Sequence, residues 1–201
     1  MNYSNVLEKK LEDIISCKKV PTLLLHSCCA PCSSYVISYL IKYFNITILY
    51  YNPNISPKEE YEKRKMEQIR LINEFNFDNE LTIMDCDYDN DVFECMIKGL
   101  ENEKEGGIRC HKCYRLRLEK TAMLAKKGGF DYFCSTLSVS PYKNSKVLNE
   151  IGSALADMYD VKWLYSDFKK KDGYKKSIEL SKKYNLYRQD YCGCIYSKIN
   201  K

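Results

Sequence analysis

Long apolar runs are absent from this sequence. No segment approaches the 18 uncharged apolar residues that a membrane-spanning helix requires. The first residues, MNYSNVLEKKLEDIISC, mix charges into their apolar positions, which argues against a secretory signal peptide. We therefore expect a cytoplasmic protein that has no membrane partner.

Glycine is also scarce, with 8 among 201 residues, and none lies in the segment HSCCAPCSS at 26–34. A phosphate-binding loop needs glycines so that its backbone N–H groups can surround an anion. The missing glycines therefore argue against nucleotide binding at this segment. Internal repeats and low-complexity linkers are absent as well, and the length suits a single domain spanning 1–201.

A strong excess of one charge is likewise missing. Lys and Arg number 32 and Asp and Glu number 27, which leaves a net charge of +5. This balance permits an anionic partner such as a nucleic acid but does not require one.

Short apolar runs alternate with amphipathic segments along the chain. Strands are predicted at 22–26, 46–51, 81–86, 131–136 and 161–167, and the segments between them have helical spacing. The helix that follows the first strand is predicted over 33–44, with Ser33 and Ser34 as its caps. This alternation predicts an α/β fold: a doubly wound, mostly parallel sheet of about five strands with helices on both faces. A helical insert is expected around 87–115.

Cysteine is the abundant exception, with 11 residues. The cytosol keeps ordinary thiols reduced, so this number indicates metal or redox chemistry rather than a disulfide framework. Isolated cysteines are usually small buried hydrophobes, and we predict that role for Cys17, Cys86, Cys95 and Cys134. The other seven form three groups: Cys28, Cys29 and Cys32; Cys110 and Cys113; Cys192 and Cys194.

Several kinds of site are compatible with these groups. Seven thiols exceed the four that a structural zinc ion needs, whereas a 4Fe-4S cluster with a redox pair or a second metal uses more of them. A zinc-stabilised RNA-binding module and a thiol–disulfide oxidoreductase using Cys29 and Cys32 remain alternatives. Adjacent side chains of an extended segment point in opposite directions, so Cys28 and Cys29 can share one centre only if the backbone turns.

Five segments together resemble the QueH family of epoxyqueuosine reductases. The resemblance covers about residues 20 to 197 and includes every cysteine of the three groups. The segments are LLHSCCAPCS, NPNISPKEEYEKR, RCHKCYRLRLEKTA, STLSVSPYKN and YRQDYCGCIYS.

The resemblance implies removal of the epoxide oxygen of epoxyqueuosine at the wobble position of tRNA, the last step of queuosine biosynthesis. It implies iron–sulfur chemistry without cobalamin, and an electron donor protein as partner. It also suggests Cys28, Cys29, Cys110 and Cys113 as ligands of a 4Fe-4S cluster, with Cys192 and Cys194 as a redox-active pair. A second, mononuclear iron could be held by Cys32, Cys192, Cys194 or Asp190.

The remaining site residues are predicted from their position beside the cysteines. His26 and Tyr191 are candidate proton donors, although His26 could instead only cap the end of its strand by hydrogen bonding. Four cationic residues are expected to contact the substrate or tRNA: Arg109, Arg115, Arg188 and Lys143. Candidates for more distant phosphate contacts are Lys58, Lys63, Arg64, Lys65 and the basic run 168–176, although charge runs of this kind more often form solvated faces.

Overall fold

Within residues 1–17 and 19–199, which a computed structural model describes, five parallel strands form one sheet. Their spatial order is β3-β2-β1-β4-β5. This arrangement confirms the predicted α/β fold with a parallel sheet. The strands are β1 (Thr22–His26), β2 (Asn45–Leu49), β3 (Leu81–Met84), β4 (Tyr132–Ser135) and β5 (Lys162–Trp163).

Helices connect the strands and complete the chain. Two of them, α4 and the start of α5, occupy the stretch where a helical insert was expected. In chain order they are α1 (Tyr3–Ser16), α2 (Ala30–Leu40), α3 (Lys58–Glu74), α4 (Asn90–Ile97), α5 (Ile108–Lys127), a 3-10 turn (Thr136–Val139), α6 (Ser145–Tyr159), α7 (Gly173–Lys183) and α8 (Ile195–Ile199).

The strand order reverses direction at β1. The chain runs outward through β2 and β3, then returns to place β4 on the other side of β1. Right-handed crossovers therefore put α2 and α3 on one face and α5 and α6 on the other. The gap between the carboxyl ends of β1 and β4 is the topological switch point, where doubly wound sheets bind ligands.

The centre of the sheet explains why β1 shows no polar alternation. Leu23, Leu24 and Leu25 are fully buried because helices cover both faces of the strand. The edge strand β5 is shorter than the predicted 161–167, and its register with β4 covers Lys162 and Trp163. No helix in the described part of the chain is long and apolar enough to cross a membrane.

The start of α2 corrects one local prediction. The helix begins at Ala30 with Cys29 as its N-cap, so Ser33 and Ser34 lie inside the first turns rather than at the cap. Pro31 suits this early position because its missing N–H would have no intrahelical partner. The Ser33 hydroxyl oxygen lies 3.1 Å from the Ala30 carbonyl oxygen, one turn earlier in the same helix.

The isolated cysteines follow the prediction only in part. Cys134 is fully buried in β4, as expected. Cys17 and Cys95 are exposed, and Cys86 is half-buried, so the prediction is wrong for the first two. Each exposed cysteine occupies the solvent side of a helix or helix end, which a count of isolated cysteines does not reveal.

Candidate metal centre

The cysteine groups lie on three different parts of the fold. Cys28 and Cys29 follow β1, and Cys32 is in the first turn of α2. Cys110 and Cys113 are in the first two turns of α5. The last two, Cys192 and Cys194, precede α8.

The loop after β1 brings its three sulfur atoms together. The Sγ atoms of Cys28, Cys29 and Cys32 all lie within 4.8 Å of one another, and those of Cys28 and Cys29 are 3.9 Å apart. Cys29 is extended, with φ −175° and ψ 159°, and the chain becomes helical at Ala30. This change of backbone direction answers the question that the adjacent cysteines raised: both can face one centre.

Polar side chains from neighbouring elements fix this loop. The backbone N–H of Cys28 donates to Thr136 Oγ1 across the switch point at 3.2 Å. The hydroxyls of Ser27 and Ser33 both donate to Gln68 Oε1, at 2.6 and 2.8 Å. The loop is therefore tied to β4 on one side and to α3 on the other.

The pKa values of these neighbouring thiols differ because the thiols hydrogen-bond to one another. Hydrogen bonds from Cys29 and Cys32, with the nearby charge of Lys143, hold the pKa of Cys28 well below its usual value. The same contact with Cys28 raises the pKa of Cys29 to about 12. A thiolate is the form that binds metals, so a group of three thiols that stabilises one deprotonated sulfur is suited to ligation.

A second set of thiols surrounds a narrow cavity. Burial raises the pKa of Cys113 to about 12 and that of Cys194 to about 11, while Cys192 is half-buried. Every cysteine of the described residues is a free thiol. The cavity is lined by Asn54, Phe93, Glu105, Arg109, Cys110, Cys113, Tyr114, Arg117, Cys192, Cys194 and Ser197.

The C-terminal cysteines are held against the loop that follows β2. Gly193 has φ +106° and a side chain there would lie 2.8 Å from Ile55, so the turn requires glycine. Its carbonyl accepts a hydrogen bond from the Ser56 N–H at 3.0 Å. Arg64 donates to the Cys192 carbonyl at 3.3 Å, which secures the same turn from α3.

His26 is fully buried and both of its ring nitrogens have partners. Nε2 lies 3.0 Å from the Tyr51 carbonyl and therefore carries the proton, and Nδ1 lies 2.8 Å from Ser135 Oγ. Burial, aided by the charge of Arg117, lowers the pKa of His26 to about 3. These contacts join β1 to its two neighbours and favour the strand-capping role over that of a proton donor.

Tyr191 and Asp190 lie on the segment that leads to the last cysteines. The Tyr191 ring is half-buried, with the Arg64 guanidinium 4.9 Å from its centroid and Lys198 Nζ at 5.5 Å. Burial raises the pKa of Tyr191, so its phenol keeps its proton at neutral pH. Asp190 is exposed, and its charge adds to the effects that raise the pKa of Tyr187.

The predicted cationic residues separate into two groups. Arg109 and Lys143 are 1% and 8% exposed; Arg109 lines the thiol cavity, and the charge of Lys143 acts on Cys28. Arg115 is exposed and pairs with Glu119 at 3.7 Å, and Arg188 is exposed beside Tyr174.

The prediction that Arg64 contacts phosphate is wrong. It is 2% exposed, pairs with Glu60 at 2.7 Å and faces Cys192 instead of solvent. Its neighbours on α3 differ: Lys63 lies over the Tyr187 ring at 3.5 Å, and Lys65 pairs with Asp85 at 2.5 Å.

Several residues of the site were not predicted from the sequence. Arg117 is the clearest case, because it is 1% exposed and lies one turn after Cys113, on the same face of α5. That i, i+4 spacing is a signal that could have identified it. Asn54 and Gln68 were also missed, and Thr136 follows β4 directly at the switch point.

Comparison with known proteins identifies the family. The family model described as epoxyqueuosine reductase QueH matches residues 23–200. This chain belongs to the QueH family of epoxyqueuosine reductases. The match spans all three cysteine groups and every residue of the sheet except Thr22.

Individual relatives agree over nearly the whole chain. A protein of Staphylococcus epidermidis named epoxyqueuosine reductase QueH is 42% identical over 100% of this chain and 86% of its own length. A protein of the same name from Streptococcus pyogenes serotype M1 is 41% identical over 98% of this chain and 78% of its own length. Another of that name, from Thermotoga maritima, is 33% identical over 90% of this chain and 92% of its own length. Membership of this family does not favour the zinc-module or thiol–disulfide oxidoreductase alternatives.

Proposed function

We propose that this protein reduces epoxyqueuosine to queuosine at the wobble position of tRNA, with an iron–sulfur centre and without cobalamin. The observation that carries the proposal is a group of three free thiols within 4.8 Å of one another after β1, together with four further free thiols that line one cavity. They come from three distant segments of a chain that belongs to the epoxyqueuosine reductase family.

The chemistry of the site fits an anionic metal–thiolate group. Cysteine thiolates are the ordinary ligands of iron–sulfur clusters. Buried N–H groups of Arg109 and Arg117 have no hydrogen-bond partner among the described residues, and both side chains line the thiol cavity. Buried donors without partners are costly, so their presence beside sulfur indicates that a negative group belongs there.

We assign the thiols as the family resemblance suggests. Cys28, Cys29, Cys110 and Cys113 would hold a 4Fe-4S cluster, and Cys32 with Asp190 would hold a second iron. When bound, such a cluster supplies electrons one at a time. The free thiols of Cys192 and Cys194 would then serve as the two-electron store.

The balance of the reaction suits such a dithiol. Removing the epoxide oxygen as water consumes two electrons and two protons and leaves the cyclopentene. Oxidation of Cys192 and Cys194 to a disulfide releases two electrons and two protons, and an electron donor protein would restore the thiols. Tyr191, whose phenol is protonated at neutral pH, is a candidate to hold the proton that the departing oxygen needs.

The substrate must reach this edge of the sheet outside the base stack. An enzyme that acts on a base within an RNA structure takes that base out of the stack and into its pocket. Exposed lysines of the run 168–176 lie on the loop after β5 and on α7, and they would contact phosphates. Lys169 Nζ donates to the Lys143 carbonyl at 3.3 Å, which connects this basic run to the loop that carries Lys143.

Anaerobic purification and a nucleoside assay test the proposal. We expect a brown protein with about four irons per chain, or more with a second iron. With a chemical reductant, it should convert epoxyqueuosine in tRNA to queuosine, a loss of one oxygen that mass spectrometry of digested tRNA detects. A Cys95→Ser variant, which changes an exposed and isolated cysteine, serves as the matched control. Colourless protein with one zinc, or unchanged epoxyqueuosine, would contradict the proposal.

A further inference from the structure

Four cationic side chains are buried around the thiols. Their exposed fractions are 2%, 1%, 1% and 8% for Arg64, Arg109, Arg117 and Lys143, respectively. Only Arg64 has a carboxylate partner among the ion pairs of the described residues, namely Glu60. Buried charges are normally paired, because removing an ion from water costs on the order of several kcal/mol even after the protein has relaxed around it. The other three cations therefore need a different source of negative charge.

Arg117 is held from two sides by hydrogen bonds. Its Nε donates to the Cys113 carbonyl at 3.3 Å, and its Nη1 donates to Asn52 Oδ1 at 3.4 Å. Asn52 in turn donates to the Ser27 carbonyl at 2.8 Å, just before Cys28. The guanidinium is thus fixed between the loop after β1 and the start of α5.

One edge of the Arg117 guanidinium is left without a partner from the described residues at the thiol cavity. Its Nη2 has no hydrogen-bond partner within the described residues, and the side chain lines the thiol cavity. Although burial alone would lower the pKa of Arg117, the charges of Cys113, Cys192 and Cys28 raise it. These three cysteines lie on α5, in the C-terminal turn and after β1, respectively, and so represent all three cysteine groups. The charge of Arg117 is therefore placed to act on each group.

We propose that Arg117 is a positioning residue that sets the reduction potential of the metal centre. The inference rests on the iron–sulfur chemistry of the proposed function. A fixed positive charge stabilises the reduced form, which carries one more negative charge, and so raises the potential. The guanidinium stays charged at any physiological pH, so its effect does not depend on titration.

Redox titration of the anaerobically reconstituted full chain, without tRNA, tests this inference. Arg117→Met keeps most of the side-chain volume and removes the charge, and we expect its midpoint potential to shift to a more negative value. Arg117→Lys restores the charge and should return the potential toward that of the wild type. Arg115→Met is the matched control, because Arg115 lies on the same helix but is exposed and paired with Glu119. Its potential should equal that of the wild type.

Each result decides the question. An unchanged potential in Arg117→Met, or an equal shift in Arg115→Met, would overturn the inference while leaving the proposed function intact. If Arg117→Met fails to fold, Arg117→Gln decides instead, since it also removes the charge but keeps an N–H group that can donate to Asn52 Oδ1. A negative shift in Arg117→Gln supports the inference and an unchanged potential refutes it. A wild-type protein that takes up no cluster would refute the proposed function itself.

Discussion

At the amino edge of the sheet, Asp131 accepts hydrogen bonds from the backbone and the hydroxyl of Thr22, at 2.9 and 3.1 Å, and so joins the starts of β4 and β1. At the carboxyl edge, neither atom of the buried Asn54 amide has a partner within residues 1–17 and 19–199. Arg109 and Arg117 likewise keep N–H groups that find no partner in that part of the chain. Among the described residues, buried polar groups are therefore paired at the amino edge and left open at the carboxyl edge.

This difference shows which edge is built for a ligand. Native proteins satisfy nearly all buried polar groups, so a cluster of exceptions needs an explanation. At the carboxyl edge the exceptions surround thiols and lie beside the switch point, where sheets of this class bind ligands. The amino edge has conventional pairs, and changes there should affect stability alone.

The largest expected effect is on the metal content of the carboxyl edge. Cys29→Ser replaces a buried thiol by a hydroxyl, which is a poor ligand for iron, in the group whose sulfurs are within 4.8 Å of each other. We expect loss of the cluster absorbance, of most iron and of all activity. Iron and acid-labile sulfide assays measure the first two. Retention of full iron by this variant would contradict the proposed ligand set.

The C-terminal cysteines should separate activity from metal binding. Replacing both Cys192 and Cys194 by serine removes the proposed two-electron store but leaves the four proposed cluster ligands in place. We expect normal cluster absorbance with no conversion of epoxyqueuosine in multiple-turnover assays. A simultaneous loss of the cluster would instead identify one of the pair as a ligand. Cys17→Ser, at an exposed position near the end of α1, provides the control.

The sequence predicted most of the sheet because the strands are short apolar runs separated by helical spacing. Five of five strands fall where they were expected, and β1 matches over its full length. The predicted start of α2 was wrong because Ser33 and Ser34 resemble caps locally, whereas Pro31 and the extended Cys29 set the actual start.

The candidate site was predictable in its thiols but not in its charges. Cysteine grouping is visible in the sequence, since close spacing is needed for two sulfurs to reach one centre. Burial of a cation is not visible in this way. Arg64 lies in a segment rich in exposed lysines and glutamates, and only its contact with the C-terminal turn, 128 residues away, shows that it is buried.

The next effect in size is expected on stability, from weakening the contact between Arg64 and the C-terminal turn that carries Cys192 and Cys194. Glu60→Gln removes the carboxylate that pairs with buried Arg64 and also accepts from the Tyr187 hydroxyl at 3.1 Å. Leaving the guanidinium unpaired should lower the free energy of unfolding by about 2 kcal/mol. Urea unfolding measures this loss. Glu74→Gln, at an exposed pair with Arg70, should cost less than about 1 kcal/mol, and an equal cost would contradict the buried role of Glu60.

The smallest effect is expected at the amino edge. The backbone N–H of Thr22 and, to a smaller extent, its hydroxyl donate hydrogen bonds to Asp131. These bonds hold the pKa of Asp131 below its usual value. A carboxyl with a lowered pKa in the folded state stabilises the protein above its unfolded pKa of about 3.9 and loses that contribution as the pH falls. Asp131→Asn should therefore cost less than about 1 kcal/mol at pH 7, since the site is partly exposed, and the difference from wild type should shrink below pH 4. Urea unfolding at pH 7 and pH 3, together with iron content, measures both parts. A loss of iron in this variant would show that the amino edge also supports the centre, and the distinction between the two edges would fail.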